Sequence, residues 1–386
     1  MMKRFPILLT LSLLLCACGG KDPLVIPDPG PYKPLDPADL YPASVFKYGL
    51  KDLAKANGVM IGAEFTHGEY TGDDSLRVVL KRDFEAVTFG NEMKHDNIVS
   101  NTGSVSFVWV DEMVRWAKDC DLKLFGHTLG WHSQQQSDYL QTLIDGAADS
   151  KAAAAAVREA HAEFVDKMVE HFDVYAWDVV NEVFSDDGAG SWRSSSNTQA
   201  NYHVFLWGDY YEGGTKGFVD AAFKEAKEAL QKYGKTADLY INDYNLEWNP
   251  AKLEAICKYA EGNPDVTGVG SQMHCNTDLG EDAIKNMLTR MVKTGKKVRI
   301  SELDVPQGSI PTNTQADLIV TIFKLYLDIV PEAQRGGITF WGVSDKNSWL
   351  GKGKYPLLYN NAYQRKDSYL KLHAYLLERA GLEKSE

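Results

Sequence analysis

Eight short apolar segments recur along the chain, and the spacing between neighbours leaves room for one amphipathic helix. Continuous apolar runs of this length are typical of strands that are buried on both faces, as in a parallel sheet. Parallel neighbours need a crossover between them, so the alternation predicts repeated strand–helix units. Eight units predict an α/β fold of the (β/α)8 TIM-barrel type, built as a single domain. The predicted strands are residues 59–63, 86–89, 122–126, 174–180, 239–242, 268–272, 298–301 and 338–341.

The clearest helical patterns lie between these strands. They cover residues 106–120, 152–171, 215–233, 250–261, 281–294, 314–330 and 362–380. A doubly wound open sheet is the alternative, but no Gly-rich phosphate-binding turn follows any early strand. The Gly- and Ser-rich segment 185–214 is long for a connection, and it predicts an excursion on the active-site face.

The N-terminus has the pattern of an export signal. Lys3 and Arg4 precede an apolar stretch over 5–15 that is too short to span a membrane. The tetrapeptide LCAC (15–18) resembles a bacterial lipobox, in which Cys18 is lipidated after cleavage. Plain secretion with cleavage near Ala17 is the alternative.

The residues after Cys18 predict a spacer. Residues 19–42 contain seven prolines and few long apolar side chains, which favours an extended tether. We therefore expect a signal peptide over 1–17, a Pro-rich tether over 18–43, and the barrel domain over 44–386. The chain would be an exported bacterial lipoprotein, attached through its lipid to the outer membrane or cell surface, with the periplasmic side as a second location.

Charge and cysteine count exclude some partners. The net charge of −12 argues against nucleic acid and anionic lipid surfaces as partners.

Besides Cys16 and Cys18 the chain has Cys120, Cys257 and Cys275, an odd number whose spacing matches no metal site. We expect these three to be buried packing residues, and a disulfide stays an alternative in an exported protein. We expect a monomer that needs no metal and no organic cofactor.

Polar and aromatic side chains follow seven of the eight predicted strands. Because all strands of such a barrel end at one face, these side chains would converge there. Each of them alone has a structural explanation, whereas the whole set at one face indicates a ligand site. The set comprises Asn91, Glu92, Lys94, His127, Trp131, His132, Asn181, Glu182, Asn242, Asp243, Tyr244, Asn245, Gln272, His274, Glu302, Asp304, Trp341, Asp345, Lys346 and Trp349.

Glu182 and Glu302 suggest the chemistry of that site. The apolar run 174–180 stops at Asn181-Glu182, as expected for a buried strand that delivers a carboxyl group into a cleft. Glycoside hydrolysis needs one carboxylic acid to protonate the leaving oxygen and one carboxylate on the other face of the sugar. His127 and His132 are not at helical metal-ligand spacing, and the chain has neither an HExxH nor a Gly-x-Ser-x-Gly motif.

Six motifs make the chain similar to glycoside hydrolase family 10, the family of retaining endo-β-1,4-xylanases. They are GHTLGWHSQ (126–134), WDVVNE (177–182), YINDYN (240–245), GVGSQMH (268–274), ISELDV (300–305) and TFWGVSDKNSW (339–349). The resemblance extends from about Val45 to Leu376. It implies a (β/α)8 barrel that hydrolyses xylan or xylo-oligosaccharides by double displacement.

The resemblance also implies a role for each matching residue. Glu182 would be the general acid/base, which must hold a proton, and Glu302 the nucleophile, which must stay ionised. His274 would hydrogen-bond Glu302, Asp304 would orient His274, and Asn181 would contact the sugar 2-hydroxyl at the cleavage point. The implied substrate-binding residues are His127, Trp131, Gln272, Trp341 and Trp349 on the glycone side, Asn91 and Lys94 one sugar further out, Gln134, and Tyr244 toward the leaving group.

The sequence departs from the family pattern at two places. Gly90 stands where the family has a glutamate that binds the distal glycone sugar. Losing that hydrogen bond costs about 1.5–3 kcal/mol if nothing replaces it. Either the affinity at that subsite is lower, or the vacated space accepts a decorated sugar, or Glu64 or Glu92 compensates. At 135–139 the segment QQSDY replaces the usual Pro and Trp, which puts that part of the glycone side in doubt.

Two alternatives to xylan hydrolysis stay open from the sequence. One keeps the mechanism but acts on a decorated xylan or a related β-1,4-glycan. The other is a non-catalytic glycan-binding lipoprotein, which predicts the loss of one or both carboxylates, whereas the chain retains both.

Overall fold

All eight predicted strands are present in the computed structural model, where they pair in chain order into one closed parallel barrel. The structure describes residues 47–199, 204–308 and 314–382. Each strand is parallel to both of its neighbours, and the last strand closes onto the first. The predicted (β/α)8 fold is confirmed. The strands are β1 (Ile61–Phe65), β2 (Ala86–Phe89), β3 (Lys123–Gly130), β4 (Ala176–Asn181), β5 (Asp238–Asp243), β6 (Gly268–Ser271), β7 (Lys297–Leu303) and β8 (Arg335–Phe340).

Helices cover the outside of the barrel, and the seven predicted helices are among them. The α-helices are α1 (Leu50–Ala56), α2 (His67–Gly72), α3 (Asp74–Asp83), α4 (His95–Ile98), α5 (Val108–Asp119), α6 (Ser137–Asp145), α7 (Ser150–His171), α8 (Gly214–Lys232), α9 (Pro250–Gly262), α10 (Glu281–Val292), α11 (Gln315–Ile329) and α12 (Asp367–Arg379). Short 3-10 helices occur at Trp207–Tyr210, Glu332–Gln334 and Asp345–Asn347.

The last helix begins later than the sequence predicts. The helical pattern begins at 362, but in the structure the backbone of Arg365 forms a bridge with Tyr359. The N–H of Lys366 then bonds to the carbonyl of Leu358. These bonds hold the chain extended, so α12 starts at Asp367.

The continuous apolar runs of the strands are explained by burial on both faces. All five residues of β1 and all six of β4 are buried, and helices pack over the barrel from outside. Burial of this kind makes a charged residue inside a strand unusual, and β1 contains one, Glu64.

Strand order places the two candidate carboxylates at the same face. Glu182 directly follows β4, and Glu302 lies near the C-terminal end of β7, with β5 and β6 between them. The register pairs Asn181 with Asn242, so these two amides lie side by side at the carboxyl ends of β4 and β5. In a barrel of parallel strands this face is the one that carries ligand sites.

The connection 185–214 contains no second domain in its described parts, 185–199 and 204–214, and the 3-10 turn Trp207–Tyr210 is the only helix there before α8 begins at Gly214. Cys120, Cys257 and Cys275 are all unpaired, and Cys257 and Cys275 are buried, as expected for packing residues. Within the described residues no helix has both the length and the apolar character needed to cross a bilayer. The predicted signal peptide, the lipidation site Cys18 and the tether lie outside the described residues.

Candidate active site

A cleft of about 900 Å³ opens at the carboxyl ends of the strands. The resemblance gives a role to fourteen residues of the barrel, of which thirteen line this cleft and one, Asp304, lies behind His274. The thirteen are Asn91, Lys94, His127, Trp131, Gln134, Asn181, Glu182, Tyr244, Gln272, His274, Glu302, Trp341 and Trp349. The structure therefore brings the predicted residues together, while their individual roles stay predictions.

Glu302 is buried and its carboxyl group is held by two hydrogen-bond donors. Oε1 accepts from Nδ2 of Asn242 at 2.9 Å, and Oε2 lies 3.2 Å from Nε2 of His274. Burial alone would raise the pKa of Glu302, but the hydrogen bond from His274 and the nearby positive charges outweigh it and lower that pKa. This carboxyl group is therefore held in its ionised form.

His274 joins Glu302 to Asp304. Its Nδ1 lies 2.8 Å from Oδ2 of Asp304, so both ring nitrogens face carboxylate oxygens. Burial would lower the pKa of His274, but the hydrogen bonds to Asp304 and then to Glu302 raise it to about 10. The imidazole is therefore protonated at neutral pH and donates to both carboxylates.

Asp304 also holds an aromatic side chain. Its Oδ2 accepts a second hydrogen bond, from Nε1 of Trp349 at 2.7 Å. The Trp349 ring lies 4.9 Å from the His274 ring between centroids, yet 60% of Trp349 is exposed. Asp304 thus fixes the orientation of both the imidazole and an exposed indole that lines the cleft. The sequence reasoning assigned Asp304 only the first of these contacts.

Glu182 is half-buried and its backbone is in the left-handed region, with φ of 56°. This conformation is unfavourable for a residue with a side chain and is found preferentially at functional sites. The backbone is held there by its N–H, which bonds to the carbonyl of Asn242, and by its carbonyl, which accepts from Nε of Arg193. The carboxyl group is consequently turned into the cleft.

A chain of amides connects the two carboxylates. Oδ1 of Asn181 accepts from Nδ2 of Asn242 at 3.0 Å and from Nε2 of Gln272 at 3.1 Å. The same Gln272 group donates to Oε1 of Glu182 at 3.0 Å, and Asn242 donates to Glu302. Oδ1 of Asn181 thus accepts two bonds, and its Nδ2 group donates one N–H to Oε1 of Glu182 at 3.3 Å, so the second N–H is the part left for a ligand.

Asn242 was among the residues expected at this face, but the sequence reasoning gave it no role. It is fully buried and does not line the cleft, but Ser301 donates to its Oδ1 at 2.7 Å and so orients its amide toward Glu302. The signal available in the sequence was its place in the motif YINDYN at the end of a predicted strand.

Lys94, Gln134, Asn91 and Trp131 form one wall of the cleft. Nζ of Lys94 donates to Oε1 of Gln134 at 2.6 Å, and Nε2 of Gln134 donates to Oδ1 of Asn91 at 3.1 Å. The Lys94 ammonium lies 4.7 Å from the centre of the Trp131 ring. Burial lowers the pKa of Lys94, while the carboxylates across the cleft oppose that shift. Together these groups offer hydrogen bonds beside an apolar face, as sugar binding requires.

His127 and Trp341 continue the aromatic surface. His127 lies inside β3 rather than after it, and its Nδ1 lies 2.9 Å from Oδ2 of the buried Asp178. Trp341 packs edge-on against His127, with ring centroids 5.4 Å apart. The imidazole is thus fixed by a carboxyl group below and an indole beside it.

Tyr244 marks the opposite end of the cleft. Its hydroxyl bonds to Asp186 and accepts from Arg193 at 3.2 Å. The ammonium group of Lys252 lies 3.7 Å from the ring centre and forms a buried ion pair with Asp243 at 2.7 Å. This end is therefore rigid and rich in charge.

Both departures from the family pattern have a structural explanation. A Cβ atom on Gly90 would lie 1.9 Å from Oε1 of Glu64, so the carboxyl group of Glu64 already fills the space that seemed vacated. The expectation of open space for a decoration is thus wrong directly over Gly90. Residues 135–139 are absent from the lining of the cleft within the described chain, and the N–H of Gln136 bonds to Nδ1 of His95 instead.

The lining includes four residues that the sequence did not suggest. Thr66, Gly68 and Glu69 lie after β1 and in α2, and Asn347 lies in the 3-10 helix Asp345–Asn347. The motif T-x-x-E at 66–69 was a usable signal, because Thr66 and Glu69 form the capping box that starts α2. The part of the chain that the structure describes contains no group of three His, Cys, Asp or Glu side chains placed to hold a metal ion.

Comparisons with known proteins agree with this geometry. The family model for glycosyl hydrolase family 10 matches residues 49–375. Endo-1,4-beta-xylanase A from Cellvibrio japonicus is 32% identical over 359 residues, which cover 83% of this chain and 55% of that protein. Endo-beta-1,4-xylanase Xyn10C from Cellvibrio japonicus is 30% identical over 325 residues, which cover 75% of this chain and 50% of that protein.

Solved structures show the same barrel. The crystal structure of xylanase 10B from Thermotoga petrophila, in complex with xylobiose, aligns with a TM-score of 0.71 and 27% identity over 87% of this chain and 99% of that one. The chain spans about half the length of the two Cellvibrio relatives.

Proposed function

The chain belongs to glycosyl hydrolase family 10, and from that membership we propose that it is a retaining endo-β-1,4-xylanase. The observation that carries the proposal is the pair Glu182 and Glu302, which face one cleft from β4 and β7 in unlike surroundings. Glu302 is buried between a cationic imidazole and an amide, whereas Glu182 is half-buried and bonded only to neutral amides. Two carboxyl groups in such unequal environments suit the acid and the nucleophile of a double displacement.

In the first step Glu302 attacks the anomeric carbon of the sugar, and the bond to the leaving oxygen breaks. Glu182 transfers its proton to that oxygen as it departs, which leaves a glycosyl ester on Glu302 and a carboxylate on Glu182. The bond from Asn242 and the positive charge of His274 keep Glu302 ionised before the attack.

In the second step a water molecule attacks the same carbon from the side of Glu182. Glu182 removes the proton from that water, the ester bond breaks, and both carboxyl groups return to their starting states. Because two inversions occur, the product keeps the β-configuration, and we expect the two carboxyl groups to be about 5–5.5 Å apart, as in retaining enzymes.

The remaining residues would bind and orient the chain of sugars. The second N–H of the Asn181 amide would contact the 2-hydroxyl beside the cleavage point, a contact that strengthens in the transition state. The wall around Lys94 and Trp131 would hold the glycone, and Tyr244 would lie toward the leaving group. The names of the relatives and of the xylobiose complex support xylan as substrate.

The experiment that tests the proposal compares reducing-sugar release from plain xylan, glucuronoxylan, arabinoxylan and cellulose. We expect xylans to be cleaved into short oligosaccharides. Glu302→Ala should abolish hydrolysis of every substrate. Glu182→Ala should lose activity on xylan but retain it on aryl xylosides, whose leaving groups need no proton.

The exposed Glu281→Ala is the matched control, because it also removes one glutamate but at the surface of α10. Its activity should equal that of the wild type. Substantial hydrolysis by Glu302→Ala, or inversion of the anomeric configuration in the product, would refute the assignment.

We further propose that the chain is an exported lipoprotein that acts as a monomer. The support is the LCAC tetrapeptide after a short apolar segment and the seven prolines that follow it. Labelling with radioactive palmitate should mark the wild type and fail in Cys18→Ala, and sedimentation of the soluble domain should give the mass of one chain. Equal labelling of both proteins would contradict the lipid attachment.

A further inference from the structure

Glu64 is the one charged residue of β1, whose other four residues are apolar or glycine. It is 8% exposed, and that small surface belongs to the lining of the cleft. A buried carboxyl group without a hydrogen bond is unfavourable, so such groups are normally paired. Yet within residues 47–199, 204–308 and 314–382 no hydrogen bond or ion pair reaches its carboxyl oxygens. The group keeps its full hydrogen-bonding capacity for whatever occupies the cleft.

The position of this carboxyl group is set by Gly90. A Cβ on residue 90 would meet Oε1 of Glu64 at 1.9 Å, its Cδ at 2.8 Å and its Cγ at 3.3 Å. Gly90 does not have a positive φ, so its backbone does not itself require glycine. The glycine is needed because the side chain of Glu64 extends from β1 across the end of β2. The two residues are therefore complementary parts of one feature.

That feature lies at one end of the cleft. Asn91 directly follows Gly90, and Thr66 and Glu69 line the cleft beyond β1, whereas Tyr244 follows β5 on the opposite side of the barrel. A sugar chain that passes over the two catalytic carboxylates must run between these ends. Its glycone would pass the Lys94 wall and then reach Glu64.

The charge state of Glu64 suits a neutral ligand. Burial is the main cause that raises its pKa well above the usual range, and the neighbouring Glu69 and Glu92 add to that effect while Lys94 opposes it. The protonated form is therefore favoured more strongly than in an exposed glutamate. A neutral carboxylic acid donates one hydrogen bond and accepts another, which matches a sugar hydroxyl or a pair of adjacent hydroxyls.

We propose that Glu64, held over Gly90, binds a hydroxyl of the glycone sugar one position beyond the cleaved unit. The inference rests on the proposed function, because it assigns a ligand to one end of the same cleft. It replaces the idea of an open space at Gly90 with a carboxyl contact delivered from the neighbouring strand.

The test compares two aryl glycosides, 4-nitrophenyl β-xyloside, with one glycone sugar, and 4-nitrophenyl β-xylobioside, with two. In Glu64→Ala we expect kcat/KM on the xylobioside to fall about threefold to tenfold and that on the xyloside to change less than about twofold. Glu64→Gln, which keeps a donor and an acceptor, should retain the wild-type ratio of the two rates within about twofold. An equal loss on both substrates, or no loss on either, would overturn the inference.

A swap variant keeps the proposal testable if Glu64→Ala folds poorly. Gly90→Glu alone should be destabilised by the clash with Glu64, whereas Glu64→Ala combined with Gly90→Glu returns one carboxyl group to the same space from β2. We expect the double variant to recover the ratio of xylobioside to xyloside rates. If the double variant folds but its ratio of xylobioside to xyloside rates equals that of Glu64→Ala, the result would count against a carboxyl contact at this position.

The outcomes separate this inference from the proposed function. If the wild type hydrolyses neither aryl glycoside nor xylan, the proposed function fails and the inference with it. If the wild type is active, Glu302→Ala is inactive and Glu64→Ala keeps the wild-type ratio, only the inference about Glu64 fails.

Discussion

Asn242 offers the sharpest test of how Glu302, the proposed nucleophile, is kept ionised. Its Nδ2 group lies 2.9 Å from Oε1 of Glu302, and its Oδ1 is bound by Ser301. Asn242→Ala removes a donor to a buried carboxylate, and a hydrogen bond to a charged group contributes about 1.5–3 kcal/mol. Because Asn242 does not line the cleft, the loss should appear in the chemical step rather than in substrate binding.

The magnitude follows from the energy of that bond. A cost of about 1.5–3 kcal/mol corresponds to a kcat that is roughly 10- to 150-fold lower, with KM changed by less than about threefold. The lost donor also raises the pKa of Glu302, since the hydrogen bond favours the charged form. The acid limb of the activity profile should therefore move to higher pH.

The assay is steady-state hydrolysis of an aryl xylobioside by the folded variants, with Ser301→Ala as the companion variant. Ser301→Ala should lose less activity, because Asn242 remains but its amide is no longer oriented. In the Asn242→Ala background the same Ser301 change should have no further effect, since the two act through one contact. A kcat loss below about threefold, a loss confined to KM, or additive losses would refute this reasoning.

Three other predictions concern neighbouring contacts. Trp349→Phe keeps an aromatic face but removes the N–H bound to Asp304, and kcat/KM on xylo-oligosaccharides should fall about twofold to tenfold. Burial would lower the pKa of His274, but its hydrogen bonds to Asp304 and the adjacent glutamate raise that pKa to about 10. The stability that the protonated imidazole adds is complete below about pH 6.5 and is lost as pH rises through 10. The melting temperature of the wild type should therefore drop between about pH 7 and 10. Asp243→Asn leaves the buried Lys252 without its nearest countercharge and should reduce the free energy of unfolding in urea by about 3 kcal/mol.

Matched controls separate these effects from general damage. Trp248→Phe changes another partly exposed indole, and its kcat/KM should equal that of the wild type. His274→Gln removes the titrating group, so its melting temperature should vary less between pH 7 and 10 than that of the wild type. Lys371→Ala breaks an ion pair with Asp317 in which both side chains are about half exposed, and its unfolding free energy should change by less than about 1 kcal/mol. Equal changes in control and test variants would contradict the specific contacts.

Elements that depend on local pattern were predictable from the sequence. The strand at 86–89 was predicted with the bounds that the structure has, and the run that ends at Asn181-Glu182 does form β4. Burial on both faces produces contiguous apolar runs, so the number and order of strands are visible in a single sequence. Short helices such as α2 were missed, because so few residues carry little helical periodicity.

The sequence by itself determined the eight-stranded barrel and the two carboxylates at its mouth, since strand pattern and motif are contiguous in the chain. Only the tertiary structure decided which partners these groups have. Asn242 contacts Glu302 across 60 positions, and Trp349 contacts Asp304 across 45. Glu64 lies over Gly90 because β1 and β2 pair in one register. Such contacts depend on barrel closure and side-chain direction, which no local sequence pattern records. The sequence therefore showed a glycine at position 90 where a glutamate was expected. The fold showed that the carboxyl group of Glu64 occupies the space beside that glycine.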